Sequence, residues 1–402
     1  MEEAVFMLMT KTMNQSAKAR MQSLDVFRGI TIFMMIFVNN PGSWNYMYSP
    51  FKHAEWNGWT PTDAIFPFFI FIMGVSIVWA FTKKMDAGVE NKQLYKEIVS
   101  RSCKLFALGL FLNLLSINLF APDYHWVTDS LFKVRVMGVL QRLALVYAVT
   151  SFLFLKVSPA TFIKISISVL LLYWLALFYA PFSVVINNTS INLTGCLEPG
   201  KNFAAFIDNI VLGANHVYVT QNTLIPYDPE GVLSTFPAIV SCMIGVLTGL
   251  YLKNNTSFSH QITTLFIWGS SFIVIGKIFD YWLPINKTIW SPSYVIFMAG
   301  FSLVFLAICM YLFDKRKPNA LATFFNVFGM NAIFFFMFSG VLARLILMIK
   351  VDDIRLRDWL FTHFFSPVFG NMAGSLMFSG VLMLISYLVL SWMYRRKIFW
   401  KV

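Results

Sequence analysis

Residues Thr60–Gly74 read TPTDAIFPFFIFIMG, an apolar run that begins with a proline and a carboxylate. A second apolar run, Ile30–Asn39, lies on the other side of the polar block Phe51–Gly58, which reads FKHAEWNG. With their flanking residues, the two runs reach the roughly 20 residues that an α-helix needs to cross a bilayer. A polar block between two such runs predicts a membrane boundary at which imidazole, carboxylate, amide and indole groups are gathered.

The composition extends this interpretation to the whole chain. Of 402 residues, 58% are hydrophobic and only 12% are charged, and the mean hydropathy is +0.67. These values predict an all-α, polytopic integral membrane protein. We predict a single transmembrane domain over 23–402, a cytoplasmic tail over 1–22 and a long outside loop at about 181–232. About ten transmembrane helices are expected near 24–42, 61–82, 101–119, 136–155, 162–180, 233–252, 262–281, 293–313, 321–343 and 371–394.

The net charge of +12 reflects the orientation of the chain in the bilayer. Twenty of the 31 basic residues fall in the two tails, the alternate loops and the helix ends beside them, and nine fall on the opposite side. Because cytoplasmic segments carry the excess of Lys and Arg, both termini are predicted to be cytoplasmic. The expected partner is therefore the lipid bilayer, and no nucleic acid is expected.

The polar block contains the main candidate for acid–base chemistry. His53 has the carboxylates of Glu55 and Asp63 close by in sequence, and a carboxylate beside an imidazole can fix its tautomer for general-base work. A solvated or structural histidine is the alternative. Asn39 is expected at the outer end of the first helix, either as a helix-ending residue or as part of the site. None of the five histidines has metal-ligand spacing, so no metal site is expected.

Basic and amide side chains at the cytoplasmic ends of the helices form a second group of candidates. Arg28 can pair with Asp25 three residues before it, or it can bind a phosphate, whose geometry suits guanidinium. The other members of this group are Arg101, Lys104, Asn326 and Asn331.

Arg142 lies inside the fourth predicted helix and needs a partner, because an unpaired buried charge is costly. We expect Asp63 or Asp280 to provide it, and Lys277 to pair with Asp280. The remaining polar residues predicted to bind substrate or to have a structural role are Glu55, Trp56, Asn57, Gln141, Asp228, Glu230 and Lys287.

Eight sequence blocks together resemble the transmembrane heparan-alpha-glucosaminide N-acetyltransferase family. They are spread in family order over about residues 20–340, and only the set as a whole is specific. The blocks are Ser23–Gly29, Val38–Asn39, Phe51–Gly58, Asp63–Gly74, Gly138–Leu143, Asp228–Gly231, Asn286–Ser291 and Gly329–Asn331.

The resemblance implies transfer of an acetyl group from cytosolic acetyl-CoA to the amine of a glucosamine-type sugar on the extracytoplasmic side. It implies that His53 acts in the transfer and that Asn39 lies at the reaction centre, where an amide can polarise the thioester or stabilise the oxyanion. The CoA phosphates would then lie near Arg28, Arg101 and Lys104, with the amides of Asn326 and Asn331. Direct transfer with His53 as base is favoured, while prior acetylation of His53 stays open.

Two departures from the family pattern concern the identity of the acceptor and the organism from which the protein comes. The chain lacks the large amino-terminal luminal domain of the lysosomal enzyme, so a bacterial inner-membrane location is expected. The residues after Asn39 read NPGSWN instead of a glycine run, which leaves the natural acceptor open. The sequence also leaves open whether the protein forms a homodimer. The alternative function is a transporter of amino sugars, although no convincing internal repeat of the kind common in transporters is visible.

A reporter fusion tests the predicted topology. Both tails carry excess positive charge, so the carboxy terminus should be cytoplasmic. A reporter that is active only in the cytoplasm should therefore give a signal when it is fused to the carboxy terminus. A matched fusion within the 181–232 loop should give the opposite signal. A carboxy-terminal reporter that is active only in the periplasm would overturn the orientation.

Overall fold

The computed structural model describes residues 21–186, 189–219, 221, 223–253, 257–315 and 320–400. Only the last two residues of the predicted tail, 1–22, fall within these ranges. The described chain is mostly helical with two small hairpins, which confirms the all-α polytopic class.

The long helices run through the chain in an order that matches the sequence prediction, since each of the ten predicted segments overlaps at least one helix. They are α1 (Gln22–Val38), α2 (Ile65–Asp86), α3 (Asn91–Leu114), α4 (Val139–Lys156), α5 (Pro159–Tyr179), α6 (Phe203–Leu212), α7 (Val232–Lys253), α8 (Phe258–Phe279), α9 (Pro292–Cys309), α10 (Ala320–Met330), α11 (Ala332–Met348) and, after the short α12 (Leu356–Leu360) and α13 (Ser366–Phe369), α14 (Asn371–Arg395).

Within the described residues, seven helical segments are long and apolar enough to cross a membrane, and the bent pair α10–α11 raises the number to eight. The other two predicted spans are α1, which has 17 residues, and α3, whose first turns read NKQLYKE. Both pack within the helical bundle: α1 contacts α10 and α2, and α3 contacts α4.

Several predicted boundaries were wrong, and three of the differences have a clear physical cause. The first helix ends at Val38 instead of 42, because Pro41 disfavours helical backbone at the residue before it. The third helix begins at Asn91 instead of 101, because polar turns before the apolar stretch belong to the same helix. The ninth predicted span is two helices, α10 and α11, bent by 73° at a break between them.

The carboxy-terminal tail meets this break. The Asn331 side chain, 1% exposed, donates from Nδ2 to the carbonyl of Ile398 at 3.0 Å. Its Oδ1 accepts the backbone N–H of Trp400 at 2.9 Å. A broken helix exposes polar groups that an apolar interior cannot satisfy. The tail therefore supplies hydrogen bonds at the place where the helix is interrupted.

Glycines set the closest helix contacts. A Cβ atom added to Gly74 of α2 would lie 2.1 Å from the carbonyl oxygen of Cys242 in α7, and one added to Gly245 would lie 2.1 Å from that of Phe71. Gly245 and Gly249 form the small-xxx-small spacing typical of closely packed membrane helices. Helices α1 and α10 approach in the same way, at Gly29 and Gly329.

The segment between α5 and α7 has its own structure. Strands β1 (Phe182–Ile186) and β2 (Thr189–Leu193) form an antiparallel hairpin, and α6 follows. The carboxylate of Asp208 in α6 accepts the backbone N–H groups of Val232 and Leu233 at 2.8 and 3.2 Å. Because Asp208 bonds the first N–H groups of α7, it holds the preceding turn, Asp228–Gly231, in place. Two further short strands, β3 (Lys350–Val351) and β4 (Ile354–Arg355), pair after α11.

Replacing Gly74 tests the α2–α7 contact. Gly74→Ala should destabilise the protein by about 1–3 kcal/mol, since its Cβ would overlap a backbone oxygen that cannot move alone. Thermal unfolding of the detergent-solubilised protein measures the change. Gly380→Ala in α14 is the matched control, because its Cβ would meet no atom within 4 Å. Equal melting temperatures for the two variants would contradict the close approach.

Candidate active site

The carboxylate of Asp63 organises the outer end of the bundle. Asp63 is 1% exposed and lies in the short 3₁₀ turn Pro61–Ala64 that leads into α2. Thr60 and Asp63 form a reciprocal capping box. Oδ2 accepts the backbone N–H groups of Ala54 and Thr60, each at 3.0 Å. The hydroxyl of Tyr294 donates to the Asp63 carbonyl at 2.6 Å, which ties the turn to α9.

His53 is paired with this carboxylate. Its Nδ1 lies 2.6 Å from Asp63 Oδ1. Because an ionised carboxylate only accepts hydrogen bonds, Nδ1 carries the proton and Nε2 is left with a free lone pair. The His53 side chain is 44% exposed while that of Asp63 is 1% exposed. The pair therefore has a buried, fixed member and an accessible member that can take up a proton.

Lys287 completes the group. Its Nζ lies 3.3 Å from Asp63 Oδ1 and 3.1 Å from His53 Nδ1. Since the ammonium and the Nδ1–H are both donors, the attractive contact is the one to the carboxylate. Burial lowers the pKa of Lys287 below its ordinary value, although the carboxylates of Asp63 and Glu230 oppose that shift.

These residues face a cavity of about 400 Å³, here called the His53 cavity. The side chain of Asn39, the residue that ends α1, is exposed and lines the same cavity. The structure thus brings together the two residues for which the sequence suggested chemistry. The polar lining includes Asn39, His53, Asp63, Arg135, Glu230 and Lys287.

Arg135 is a site residue that the sequence analysis missed. Its guanidinium makes a bidentate pair with Asp228, at 2.8 and 2.6 Å, and it also contacts Glu230. Although burial opposes its charge, the carboxylates of Glu230 and Asp228 raise the pKa of Arg135 above its ordinary value. One signal was available: it is one of few basic residues on the predicted outside, three residues before the Gly138–Leu143 block.

Of the other polar residues predicted for the outer end of the bundle, some line the His53 cavity and others lie outside it. Trp56 lines the His53 cavity and donates from Nε1 to the Leu197 carbonyl at 2.9 Å. Asn57 accepts from the Asn286 amide at 3.2 Å. Glu55 is exposed and lies outside the cavity lining, and Gln141 lines a neighbouring cavity.

The predicted partners of Arg142 were wrong. This fully buried guanidinium bonds to the Gly231 carbonyl at 3.2 Å and contacts the Ser234 hydroxyl. It also lies 5.1 Å from the ring centroid of Trp290. These groups, at the start of α7 and beside α9, contact Arg142 where an ion pair was expected, and its Nε and Nη1 are buried without a hydrogen-bond partner among the described residues. Asp280 instead pairs with Lys277 at 2.7 Å, as predicted.

A second cavity of about 560 Å³, here called the Arg28 cavity, lies at the end of α1 that bears Arg28. Arg28 contacts Asp25 at 3.4 Å and Ser76 at 2.7 Å. The Arg101 guanidinium lies 4.7 Å from the ring centroid of Tyr147. Its Nε is buried and has no hydrogen-bond partner among the described residues.

Of the five residues predicted to bind the donor, the structure brings two together in this cavity, Arg28 and Arg101. Lys104 is exposed, and neither it nor Asn326 lines the cavity. Asn331 is occupied with the carboxy-terminal tail, and it is Trp400 of that tail that reaches the cavity wall.

A small apolar cavity, here called the neck, lies between the other two cavities and shares lining residues with each. Its free volume is about 10 Å³, close to the space that one water molecule needs. Met35, Phe66 and Val139 line both the neck and the His53 cavity. Phe69 and Leu143 line both the neck and the Arg28 cavity. The bundle therefore has a cavity with polar residues in its lining at each end and a small apolar cavity between them.

No group of three or more His, Cys, Asp or Glu side chains is placed to hold a metal ion in the described ranges. The chemistry available at the His53 cavity is proton transfer by an oriented imidazole, with amide and ammonium donors beside it.

Comparison with known proteins adds an independent observation. Residues 20–279 match the family model described as "Heparan-alpha-glucosaminide N-acetyltransferase, catalytic". The chain is 31% identical over 435 residues to heparan-alpha-glucosaminide N-acetyltransferase of Mus musculus, covering 96% of this chain and 61% of that protein. It is 30% identical over 429 residues to the Homo sapiens protein of the same name, covering 95% and 60%.

The chain thus spans about 61% of the length of the mouse relative. The matched range includes Asn39, His53 and Asp63, the residues on which the geometry of the site depends. On the extent of this match, the chain belongs to the heparan-alpha-glucosaminide N-acetyltransferase catalytic family.

Proposed function

We propose that this protein transfers the acetyl group of acetyl-CoA to the amine of a glucosamine-type sugar. The observation that carries the proposal is the His53–Asp63 pair in a cavity that lies beside the apolar neck, on whose other side is the cavity lined by Arg28 and Arg101. Membership of the family supports the reaction class. Both the acetyl donor and the sugar acceptor belong to the proposal.

In the proposed step, the acceptor amine attacks the thioester carbonyl carbon. His53 Nε2 takes the proton that the nitrogen loses, a C–N bond forms and the C–S bond breaks. The proton then passes to the departing CoA thiolate. Asp63 holds the imidazole in the tautomer that leaves Nε2 able to accept, and Lys287 helps to hold that carboxylate.

Asn39 is proposed to stabilise the oxyanion of the tetrahedral intermediate. Its amide lines the His53 cavity and makes no described side-chain hydrogen bond that it would first have to lose. A donor of this kind contributes roughly 3–4 kcal/mol to transition-state stabilisation in other acyl-transfer sites.

The donor is proposed to enter from the Arg28 cavity. Guanidinium groups suit phosphate oxygens, and Arg101 has a buried Nε with no partner among the described residues. The unbranched arm that carries the thioester is slender and partly apolar, and the neck, which has room for about one water molecule, would have to widen to admit it. In this arrangement the Arg28 cavity faces the cytoplasm of a bacterial inner membrane and the His53 cavity faces the outside, as the positive-inside rule favours.

Removal of the imidazole tests the chemistry. His53→Ala should lower the transfer of acetyl groups to glucosamine by roughly 10²–10⁴-fold, the usual contribution of a general base. Release of free CoA thiol by the purified protein measures the rate. His363→Ala is the matched control, since His363 is exposed and bonds to its own helical turn.

Near-normal turnover by His53→Ala would show that another group is the base. Movement of labelled amino sugar across vesicles without acetyl-CoA, and without thiol release, would favour the transporter instead.

Two acetyl donors, one with and one without nucleotide phosphates, test whether the Arg28 cavity binds the phosphates of CoA. Arg101→Gln should raise the KM for acetyl-CoA by about 10- to 100-fold, the range expected for one lost bond to a charged group. It should leave the KM for acetyl-pantetheine unchanged, because that donor has no nucleotide phosphates. Lys104→Gln removes a neighbouring exposed charge and serves as the comparison. If Lys104→Gln raised the KM and Arg101→Gln did not, the phosphates would bind outside this cavity.

A further inference from the structure

The carboxylate of Asp208 is a buried acidic group that the proposed reaction does not use. Asp208 belongs to α6, in the segment between α5 and α7, and is 2% exposed. Its Oδ1 accepts the backbone N–H groups of Val232 and Leu233, which begin α7. No basic side chain of the described residues forms an ion pair with it. A buried carboxylate held only by backbone donors is costly to keep charged.

Asp208 packs directly against the turn that precedes α7. A Cβ atom added to Gly231 would overlap Asp208 Oδ2, so only a residue without a side chain fits at this point. The carbonyl of Gly231 accepts from Nη2 of the buried Arg142 at 3.2 Å and from the hydroxyl of Thr235 at 2.7 Å. Gly231 therefore lies between an acidic and a basic side chain, and its position depends on both.

The same turn supplies part of the lining of the His53 cavity. Glu230 lines that cavity, and so does Arg135. Asp228 and Glu230 both pair with the Arg135 guanidinium, and the backbone N–H of Glu230 donates to Asp228 Oδ1 at 2.8 Å. Because these groups are bonded to one another, a shift of the turn would move Glu230 and Arg135 together within the lining.

Several elements place ionisable groups near Asp208. Arg142 approaches from α4, Tyr173 from α5 and Asp228 from the turn. His216, in the short turn after α6, is occupied with a backbone carbonyl. The start of α7 contributes the two backbone N–H groups. The surroundings thus combine one guanidinium with a second carboxylate, and they do not neutralise Asp208 by a direct pair.

The protonation of Asp208 is therefore linked to its packing against the turn. Burial, together with the charge of Asp228, raises the pKa of Asp208 from its ordinary value of 3.8 to about 7, although the two N–H bonds and the charge of Arg142 oppose the shift. The packed arrangement binds the proton more tightly than a solvated Asp208 does. Packing is then most favourable at acid pH and is weakened as the pH rises through about 7.

We propose that Asp208 is a positioning residue for acetyl transfer, which holds Glu230 and Arg135 in the lining of the His53 cavity through the Asp228–Gly231 turn and makes that hold depend on pH. The inference rests on the proposed function for the reaction that this lining serves. Asp208 lines none of the cavities and acts only through the turn. Its protonation on the His53 side of the protein sets an upper limit to the pH range of activity, whereas the imidazole of His53 sets the lower limit.

The pH dependence of Asp208→Asn tests the proposal on the full-length purified protein. Asparagine keeps the oxygen that accepts the N–H groups of α7 and carries no charge. The measurement is kcat/KM for glucosamine, followed by release of CoA thiol and expressed as the ratio of the variant to the natural chain, which cancels changes in the amine itself. The ratio should be close to one at pH 6 and at least about tenfold higher at pH 8.5, as one ionisation with a midpoint near 7 requires.

Two further variants separate the loss of the acceptor from the loss of the charge. Asp208→Ala removes the oxygen itself and should lower kcat/KM by about tenfold at every pH, the effect of one lost bond to a charged group. Glu198→Gln is the matched control, because Glu198 is an exposed carboxylate of the same outer segment that pairs with Lys201. It should have the pH profile of the natural chain. Melting temperatures show whether each variant is folded, and the Asp208→Asn ratio decides if Asp208→Ala is not.

Hydrogen exchange of the first N–H groups of α7 gives a second measurement that needs no activity. After correction for the intrinsic exchange rate, protection of Val232 and Leu233 in the natural chain should fall at least about tenfold between pH 6 and 8.5, and Asp208→Asn should keep it. A variant-to-natural ratio that is flat with pH would overturn the proposal, and so would protection that is equal at both pH values in the natural chain. If no acetylation is seen at any pH, the proposed function fails, and the exchange measurement still decides whether Asp208 controls the turn.

Discussion

The buried carboxylate of Asp63 is the constraint on which the outer end of the protein depends. Two backbone N–H groups, an imidazole and an ammonium converge on it, and a tyrosine hydroxyl bonds to the carbonyl of the same residue. A buried charge is tolerated only when it is paired and hydrogen-bonded, and the loss of a partner costs several kcal/mol. The polar loop before α2 and the Lys287 loop before α9 are thereby held at one point, which gives His53 a defined position.

Close packing elsewhere makes the cavities possible. Where α2 meets α7 and where α1 meets α10, glycines let backbone approach backbone, so these pairs are in direct contact. Helix α11, which is bent by 73° from α10, lines the neck and a further cavity between α1, α3 and α4. The positions of empty space in the bundle therefore follow from small residues in one set of helices and a break in another.

The sequence predicted what depends on local pattern. Hydropathy located all ten helical segments. The polar block offered two carboxylates near His53, those of Glu55 and Asp63, and the structure pairs His53 with Asp63. What the sequence analysis missed depends on distant contacts. The partners of Arg142 come from the start of α7, about 90 residues away along the chain. A charge invites a search for opposite charge, whereas here a carbonyl and a hydroxyl bond to Nη2, an indole lies against the guanidinium, and Nε and Nη1 are buried without a hydrogen-bond partner among the described residues. Arg135 was overlooked for the same reason, since its partners Asp228 and Glu230 lie across the long loop.

The segment that satisfies Asn331 has a consequence for the order of folding. Ile398 and Trp400 follow Asn331 by 67 and 69 residues and come after every described helix, yet they complete the hydrogen bonds at the break between α10 and α11 and one wall of the Arg28 cavity. Until they emerge from the ribosome, the buried amide of Asn331 lacks both partners, which costs about 1–3 kcal/mol for each unpaired group. The wall of the Arg28 cavity is therefore completed late, after α14 has been synthesised.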